Sequence, residues 1–192
     1  MCDETTVLQE RSATGAGGGV AAFERPQAGL TEAMVDVPTE DGTCDAFFVH
    51  PREGKHPGVI FWPDAIGLRD AKRAMARRLA ASGYAVLAVN QYYRAAHTPL
   101  GISFSDFGDP EARARLMPLM AGVREPGGVE RDAKAFVAFL DGQTAVDTGR
   151  GIGTQGYCMG GGLAFRTAGA VPDRVRAVAS FHGGGLVTDA PD

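Results

Sequence analysis

Residues 156–162 read Gly156-Tyr157-Cys158-Met159-Gly160-Gly161-Gly162, which places one thiol among closely spaced glycines. An apolar run precedes the cysteine and a helix-like run follows it, the pattern of a sharp strand-to-helix turn with a nucleophile at its tip. Such a turn strains the backbone, and neighbours without a Cβ atom relieve the crowding. The positive end of the following helix favours the reactive thiolate. We therefore expect Cys158 to be a nucleophile; the alternative is a buried structural cysteine in a Gly-rich turn.

The segments upstream of this turn predict an open, mostly parallel sheet. The continuous apolar run Val59–Trp62 is typical of a strand covered on both faces. A helix is predicted over 69–82, where apolar side chains recur at Ala71, Met75 and Leu79. A second buried strand is predicted over 84–89. Strand, helix and strand in this order form a parallel crossover unit.

Elements at both ends extend this α/β prediction. Two short strands, 33–37 and 44–49, are joined by turn residues and predict an antiparallel hairpin. Later in the chain we expect helices over 110–121 and 129–140, and strands over 150–157 and 175–181. The predicted fold class is α/β, a doubly wound sheet of the α/β-hydrolase type with an N-terminal hairpin. We expect a flexible segment at 1–30 and one domain at 31–192.

Polar residues at the carboxyl ends of the predicted strands are candidates for the site, because ligands bind beyond that edge of such sheets. Asp64 follows the first buried strand, either as a turn residue or as a carboxylate that tunes the thiol. Arg94 is either a solvated loop charge or a clamp for a substrate carboxylate. His97, in the same long loop, is a candidate pocket residue. His182 follows the last strand and borders the cleft of Cys158, as a base or in a structural role.

Charge and composition argue against several classes of function. The net charge of −4 and the lack of a basic patch argue against nucleic acid as a partner. No apolar run approaches the roughly 18 residues that span a bilayer, and the acidic N-terminus is unlike a secretory signal, so we expect no membrane partner and a cytoplasmic location. The three cysteines have neither zinc nor disulfide spacing. Residues 151–156 match G-x-G-x-x-G, but these glycines lie in the predicted strand. We expect no metal and no cofactor.

These blocks resemble the dienelactone hydrolase family of α/β-hydrolases. Residues 156–161 look like the cysteine elbow of that family, 63–70 are similar to its first catalytic loop, and 79–89 look like its next helix-to-strand passage. The likeness runs over about 35–185, with the blocks in the family's order. It implies hydrolysis of a small ester or lactone that carries a carboxylate, with Cys158 attacking the carbonyl as a thiolate.

The resemblance also implies roles for other residues. It places the oxyanion hole at the backbone N–H groups of Ala65 and Met159. Asp64 falls where the best-known members carry a glutamate that contacts the thiol. Arg94 matches an arginine that the family uses for the carboxylate of the substrate, and we expect His182 to line the same substrate site.

The C-terminal part departs from the family pattern. In α/β-hydrolases the acid and the base follow the nucleophile on later strands, whereas this chain ends at residue 192. Three explanations are open: a fragment that lacks the last strands, which we favour; a shortened relative that binds small molecules without turnover; or a thiol with an unconventional partner such as His182. A cysteine-elbow amidotransferase is a further alternative, although such proteins commonly carry glutamine or histidine where this chain has 161–164. The oligomeric state is left open.

Overall fold

The computed structural model describes residues 27–187, which fold around one six-stranded sheet in the order β1-β2-β4-β3-β5-β6. The strands are β1 Leu30–Thr39, β2 Gly42–Pro51, β3 Gly58–Trp62, β4 Ala85–Val89, β5 Ile152–Tyr157 and β6 Val175–Phe181. The helices are α1 Asp70–Ala81, α2 Pro110–Val123, α3 Gly128–Asp141 and α4 Met159–Ala170, and a short 3-10 helix covers Phe104–Gly108.

The pairing of the strands confirms the predicted α/β sheet. The hairpin β1–β2 is antiparallel, and β2 joins β4 in the same antiparallel sense. The other three pairs, β4–β3, β3–β5 and β5–β6, are parallel. The glycines of the G-x-G-x-x-G match lie at and within β5, and the next helix starts only at Met159. Most of the expected N-terminal segment, residues 1–26, lies outside the described residues; β1 begins at Leu30.

Strand β3 lies between two apolar layers. Val59 and Phe61 pack with α1 on one face of the sheet, whereas Ile60 and Trp62 pack with α3 and α4 on the other. This two-sided burial explains why the run has no polar alternation. The Trp62 indole N–H also donates to Thr167 Oγ1 at 3.0 Å, which fixes α4 on the end of β3.

The packed face of α1 differs from the predicted one by one position. Ala71 is exposed and Met75 and Leu79 are half-buried, whereas the buried positions include Ala76 and Ala80. Small side chains let the helix lie close to the sheet, so the larger apolar residues sit at the border of the contact. Within residues 27–187, no helix is both long enough and apolar enough to cross a bilayer.

The register brings the carboxyl ends of three parallel strands to one edge. Trp62 at the end of β3 pairs with Gly156 of β5, and Gly156 pairs with Ser180 of β6. The segments that begin at Asp64, Cys158 and His182 therefore leave the sheet side by side.

Candidate active site

Cys158 lies at the turn between β5 and α4, with φ of 54° and ψ of −119°. A positive φ in a residue that has a Cβ atom stores about 1–3 kcal/mol of strain. Two backbone hydrogen bonds hold the turn: the Cys158 N–H donates to the Phe181 carbonyl, and the Gly161 N–H donates to the Cys158 carbonyl, both at 3.0 Å. The strained strand-to-helix turn is therefore confirmed. The cysteine is partly exposed at the N-terminal end of α4.

Two glycines let the backbones of three segments touch at this turn. A Cβ atom on Gly156 would lie 1.8 Å from the carbonyl oxygen of Gly160, and a Cβ atom on Gly160 would lie 2.4 Å from that of Pro63. Backbone atoms cannot rotate away as side chains do, so neither position accepts a side chain without movement. The first turn of α4 thus packs directly on the segment that follows β3.

The loop Asp64–Gly67 is fixed by two side chains that follow β4. Gln91 Nε2 donates to the Asp64 carbonyl, and the Tyr92 hydroxyl donates to the Ala65 carbonyl, both at 2.7 Å. Burial raises the pKa of Tyr92, so its hydroxyl stays protonated as a donor. Neither residue carries a role predicted from the sequence, although both come directly after the buried strand β4.

Two backbone N–H groups in the segments that meet at this turn have no backbone acceptor among residues 27–187. Among residues 27–187 no acceptor contacts the N–H of Ala65. The N–H of Met159 belongs to the first residue of α4, where a helix offers no internal acceptor. Preorganised N–H donors of this kind can stabilise the negative oxygen that develops when a carbonyl is attacked.

Asp64 is paired with cations near the start of α1. Its carboxylate accepts hydrogen bonds from both terminal nitrogens of Arg69 and from the Ile66 N–H, and it forms an ion pair with Lys72 at 2.8 Å. Burial acts to raise the pKa of Asp64, but the hydrogen bonds from Arg69 and Lys72 outweigh it and hold that pKa below its ordinary value. The contact to Ile66 matches the turn role considered above. A part for Asp64 in tuning Cys158 stays a prediction.

This cluster predicts acid-sensitive stability that depends on Asp64. A carboxyl whose pKa is depressed in the folded chain stabilises it above the ordinary value of about 3.9, and this stabilisation is lost as the pH falls below that value. Asp64→Asn removes this stabilisation and leaves Lys72 without the carboxylate of its ion pair. We expect the variant to be less stable than wild type by about 2 kcal/mol at neutral pH, because the pair is largely buried, and the difference to shrink as the pH falls toward 3.

Urea unfolding followed by the fluorescence of Trp62 at a series of pH values measures this difference. Asp36→Asn, at an exposed position on β1, is the matched control and should change stability little at any pH. A stability difference between Asp64→Asn and wild type that stays constant from neutral pH to pH 3 would contradict the prediction.

Arg94 lies in a network of ion pairs that joins three segments. Its guanidinium contacts Asp41 of the β1–β2 turn at 2.6 Å and Asp132 of α3 at 2.7 Å, and it stacks on the ring of Tyr93. The Tyr93 hydroxyl donates to Asp132 at 2.7 Å, and Asp132 is 2% exposed. That Arg94 binds a substrate carboxylate stays a prediction. The guanidinium N–H groups that would donate to such a carboxylate already contact Asp41 and Asp132.

His182 lies beside the residue that precedes Cys158. Its ring centroid is 6.3 Å from that of Tyr157, and its own φ is 44°. Within residues 27–187, Cys158 Sγ has no hydrogen bond to His182 or to any other base. Tyr157 is stacked on Phe181, and Lys72 Nζ lies 4.8 Å from its ring centroid. His182 as a substrate-site residue stays a prediction.

The second thiol in this part of the chain differs from Cys158. Cys44 is fully buried, and its Sγ contacts the Asn90 carbonyl at 3.5 Å. Burial raises the pKa of the Cys44 thiol well above its ordinary value, which keeps it protonated and unreactive. Between residues 27 and 187 no group of three or more histidine, cysteine, aspartate or glutamate side chains is placed to hold a metal ion.

The sheet order and the strained turn at Cys158 define an α/β-hydrolase-type domain. The family model for the dienelactone hydrolase family matches residues 44–191, and the chain belongs to that family. A carboxymethylenebutenolidase of Pseudomonas sp. strain P51 is 31% identical over 139 residues, with 72% of this chain and 56% of that protein covered.

Solved structures agree with this assignment. A dienelactone hydrolase-like promiscuous phosphotriesterase from metagenomic libraries matches with a TM-score of 0.68 and 28% identity over 85% of this chain and 63% of that one. A hyperthermophilic esterase from Pyrobaculum calidifontis, 23% identical, shares the fold with a TM-score of 0.56 over 90% of this chain and 50% of its own. The chain spans 50% to 63% of the length of the first curated relatives that it matches.

Proposed function

We propose that this chain carries the nucleophile and the oxyanion hole of an enzyme that hydrolyses small carboxylic esters or lactones. Cys158 is the nucleophile in this proposal, and the backbone N–H groups of Ala65 and Met159 form the oxyanion hole. Membership of the dienelactone hydrolase family supports the reaction class. The proposal invokes no metal or cofactor, because the nucleophile is a thiol and backbone N–H groups bind the oxyanion.

The observation that carries the proposal is the turn at Cys158. Its backbone is held at a φ of 54°, and Gly160 packs against the carbonyl of Pro63. Strain of this kind persists only where the surrounding structure enforces it, and it clusters at active sites. The close approach of Gly160 to Pro63 supports a position of the partly exposed thiol near the loop after β3. The Ala65 N–H of that loop has no acceptor among the described residues.

The proposed reaction has two steps. The Cys158 thiolate attacks the carbonyl carbon, a C–S bond forms, and the oxyanion accepts hydrogen bonds from Ala65 and Met159. The C–O bond to the leaving alcohol then breaks, and the alkoxide takes a proton from water or from a general acid. In the second step water attacks the thioester and the C–S bond breaks. The carboxylic acid and the Cys158 thiolate are released, and the second proton of the attacking water passes to solvent, which restores the proton that the alkoxide took. For a lactone, both products stay in one molecule.

A second candidate is binding of the same small molecules without turnover. One observation favours it: within residues 27–187 no base is hydrogen-bonded to Cys158 Sγ. Such a chain would bind an ester, or accept one acyl group, and release no product continuously. The time course of alcohol release from a chromogenic ester separates the two candidates. The first acyl transfer and the later turnover appear as different phases of that time course.

The experiment follows the release of p-nitrophenolate from p-nitrophenyl acetate, before and after treatment with iodoacetamide. We expect continuous turnover that is lost in proportion to alkylation of Cys158, as located by mass spectrometry of peptides. Cys44 should stay unlabelled in the folded protein because it is fully buried. The measurement uses a Cys2→Ser background so that only the two described thiols compete. Retained turnover in fully Cys158-alkylated protein would contradict the nucleophile assignment. A first phase without continuous turnover, or the absence of both phases, would favour the second candidate.

A further inference from the structure

The segment that follows β4 contacts two different parts of the molecule. Its later residues line a groove of about 400 Å³ beside helix α2, and His97 is one of them, which confirms the pocket position expected for it. The first residues of the segment, Gln91 and Tyr92, instead contact the loop Asp64–Gly67. Gln91 is 3% exposed, so its side-chain amide meets this loop away from bulk water.

The Gln91 amide is only half satisfied at its buried position. Its Nε2 donates to the Asp64 carbonyl at 2.7 Å, and this acceptor fixes which end of the amide is the nitrogen. Its Oε1 has no hydrogen-bond partner among residues 27–187. An unpaired buried acceptor lowers the stability of the folded chain, and an apolar side chain of similar volume would avoid that loss. The benefit of glutamine here therefore lies in the bond that its nitrogen donates.

That bond controls the direction of the Ala65 N–H. The Asp64 carbonyl and the Ala65 N–H belong to one peptide group, which is trans. A trans peptide group is planar, so its C=O and N–H point in opposite directions. A donor that fixes the Asp64 carbonyl on one side therefore fixes the Ala65 N–H on the other. A carbonyl that accepts a hydrogen bond is also polarised, which makes the N–H of its peptide group a stronger donor.

The other hydrogen bonds of the loop do not replace this one. The Gly67 N–H also donates to the Asp64 carbonyl, at 2.9 Å, but both groups belong to the loop, so their bond closes a turn without fixing it to the sheet. The Tyr92 hydroxyl donates to the carbonyl of the next peptide group. In the part of the chain that the structure describes, Gln91 thus supplies the hydrogen bond from outside the loop that holds the Asp64–Ala65 peptide group.

The same pair of side chains is coupled to Cys158 by charge. Burial raises the pKa of Tyr92, a hydrogen bond with the Gln91 side chain acts against that rise, and the negative charges of Asp64 and Cys158 add to it. Coulomb interactions weaken with distance and with screening by solvent. The effect of Cys158 on Tyr92 therefore supports a position of both residues in one region of the site.

We propose that Gln91 is a positioning residue, which holds the Ala65 N–H in the direction in which it donates to the oxyanion. Gln91 touches neither the substrate nor the thiol in this role and acts through the Asp64–Ala65 peptide group. The effect on the reaction rests on the proposed function, because it requires that Ala65 stabilises the oxyanion. That Gln91 fixes the Ala65 N–H is independent of any reaction.

Gln91→Leu tests the role, because it removes the donor and the unpaired oxygen together and keeps a side chain of similar size. We expect kcat for p-nitrophenyl acetate to fall about tenfold with KM unchanged, since the weakened interaction is made only in the transition state. The urea midpoint should equal or exceed that of wild type, because the unpaired acceptor is gone. A merely structural glutamine would lose stability as well as rate.

Gln143→Leu is the matched control. The Gln143 amide also donates to a backbone carbonyl, that of Phe139 at 3.1 Å, but it lies between α3 and β5, at the edge of the sheet where β5 begins. This variant should keep the kcat and KM of wild type. Gln91→Met, whose side chain is unbranched like glutamine, repeats the test if leucine does not fit at position 91.

The nitrogen-15 order parameter of the Ala65 amide tests the same contact without a reaction. We expect it to fall from about 0.85, typical of rigid backbone, toward about 0.6, typical of flexible backbone, in Gln91→Leu only. If wild type releases no p-nitrophenolate, the proposed function fails and this order parameter alone decides the positioning role. An unchanged order parameter, an unchanged kcat in an active enzyme, an equal loss of kcat in Gln143→Leu, or a urea midpoint below wild type in both Gln91→Leu and Gln91→Met would overturn the proposal.

Discussion

Replacing Cys158 with alanine is expected to lower the rate of ester hydrolysis by about 10⁴-fold or more, as removal of a catalytic nucleophile does in other acyl-transfer enzymes. The N–H groups of Ala65 and Met159, which form the oxyanion hole in our proposal, remain in this variant, so a small residual rate over water is expected. The measurement is kcat/KM for p-nitrophenyl acetate. Cys158→Ser should be nearly as inactive, because a hydroxyl needs a base and none is hydrogen-bonded at this position within residues 27–187.

Controls for this prediction separate chemistry from folding. Cys44→Ala removes the other described thiol, far from the turn in sequence, and should keep the catalytic rate while it loses some stability from the core. Cys158→Gly should be as inactive as Cys158→Ala but more stable by about 1 kcal/mol, because glycine adopts a positive φ without strain. A wild-type rate in Cys158→Ala would remove this thiol from the reaction.

The fold was largely predictable because its elements carry strong local patterns. Val59–Trp62 has no polar residue, so strand β3 follows from the sequence. The turn residues after Thr39 favour a tight connection, so the hairpin β1–β2 follows as well. The packed face of α1 did not follow, because the four-residue spacing of Met75 and Leu79 resembles that of Ala76 and Ala80. Only the sheet selects between two adjacent faces of a helix with many alanines.

The candidate site was predictable only where one short segment forms it. The glycines around Cys158 indicated the strained turn, but the ion pairs of Arg94 join residues that are 53 and 38 positions apart. One signal was present in the sequence: Asp132 lies among the apolar positions of α3 between Val129 and Phe136, and a charge on a buried face requires a partner. Sequence spacing does not identify that partner.

Gly156→Ala is expected to destabilise the folded chain by at least about 3 kcal/mol, a large part of the stability of a typical domain. The added Cβ atom would lie 1.8 Å from the Gly160 carbonyl oxygen and 2.7 Å from the Gly161 nitrogen. Because these are backbone atoms, the first turn of α4 would have to lift from β5, which would also displace the Met159 N–H. Urea unfolding and the yield of folded protein measure the loss.

Gly162→Ala is the matched control, because a Cβ atom at that helical position meets nothing within 4 Å. Alanine lowers the backbone entropy lost on folding, so this variant should be more stable than wild type by about 0.5–1 kcal/mol. The two substitutions add the same methyl group close together in the sequence, and they should change stability in opposite directions. If Gly156→Ala unfolds within about 0.5 kcal/mol of wild type, a range typical of harmless surface changes, then α4 does not rest on β5 as described. In that case the close packing that aligns Cys158 with the loop after β3 would be wrong as well.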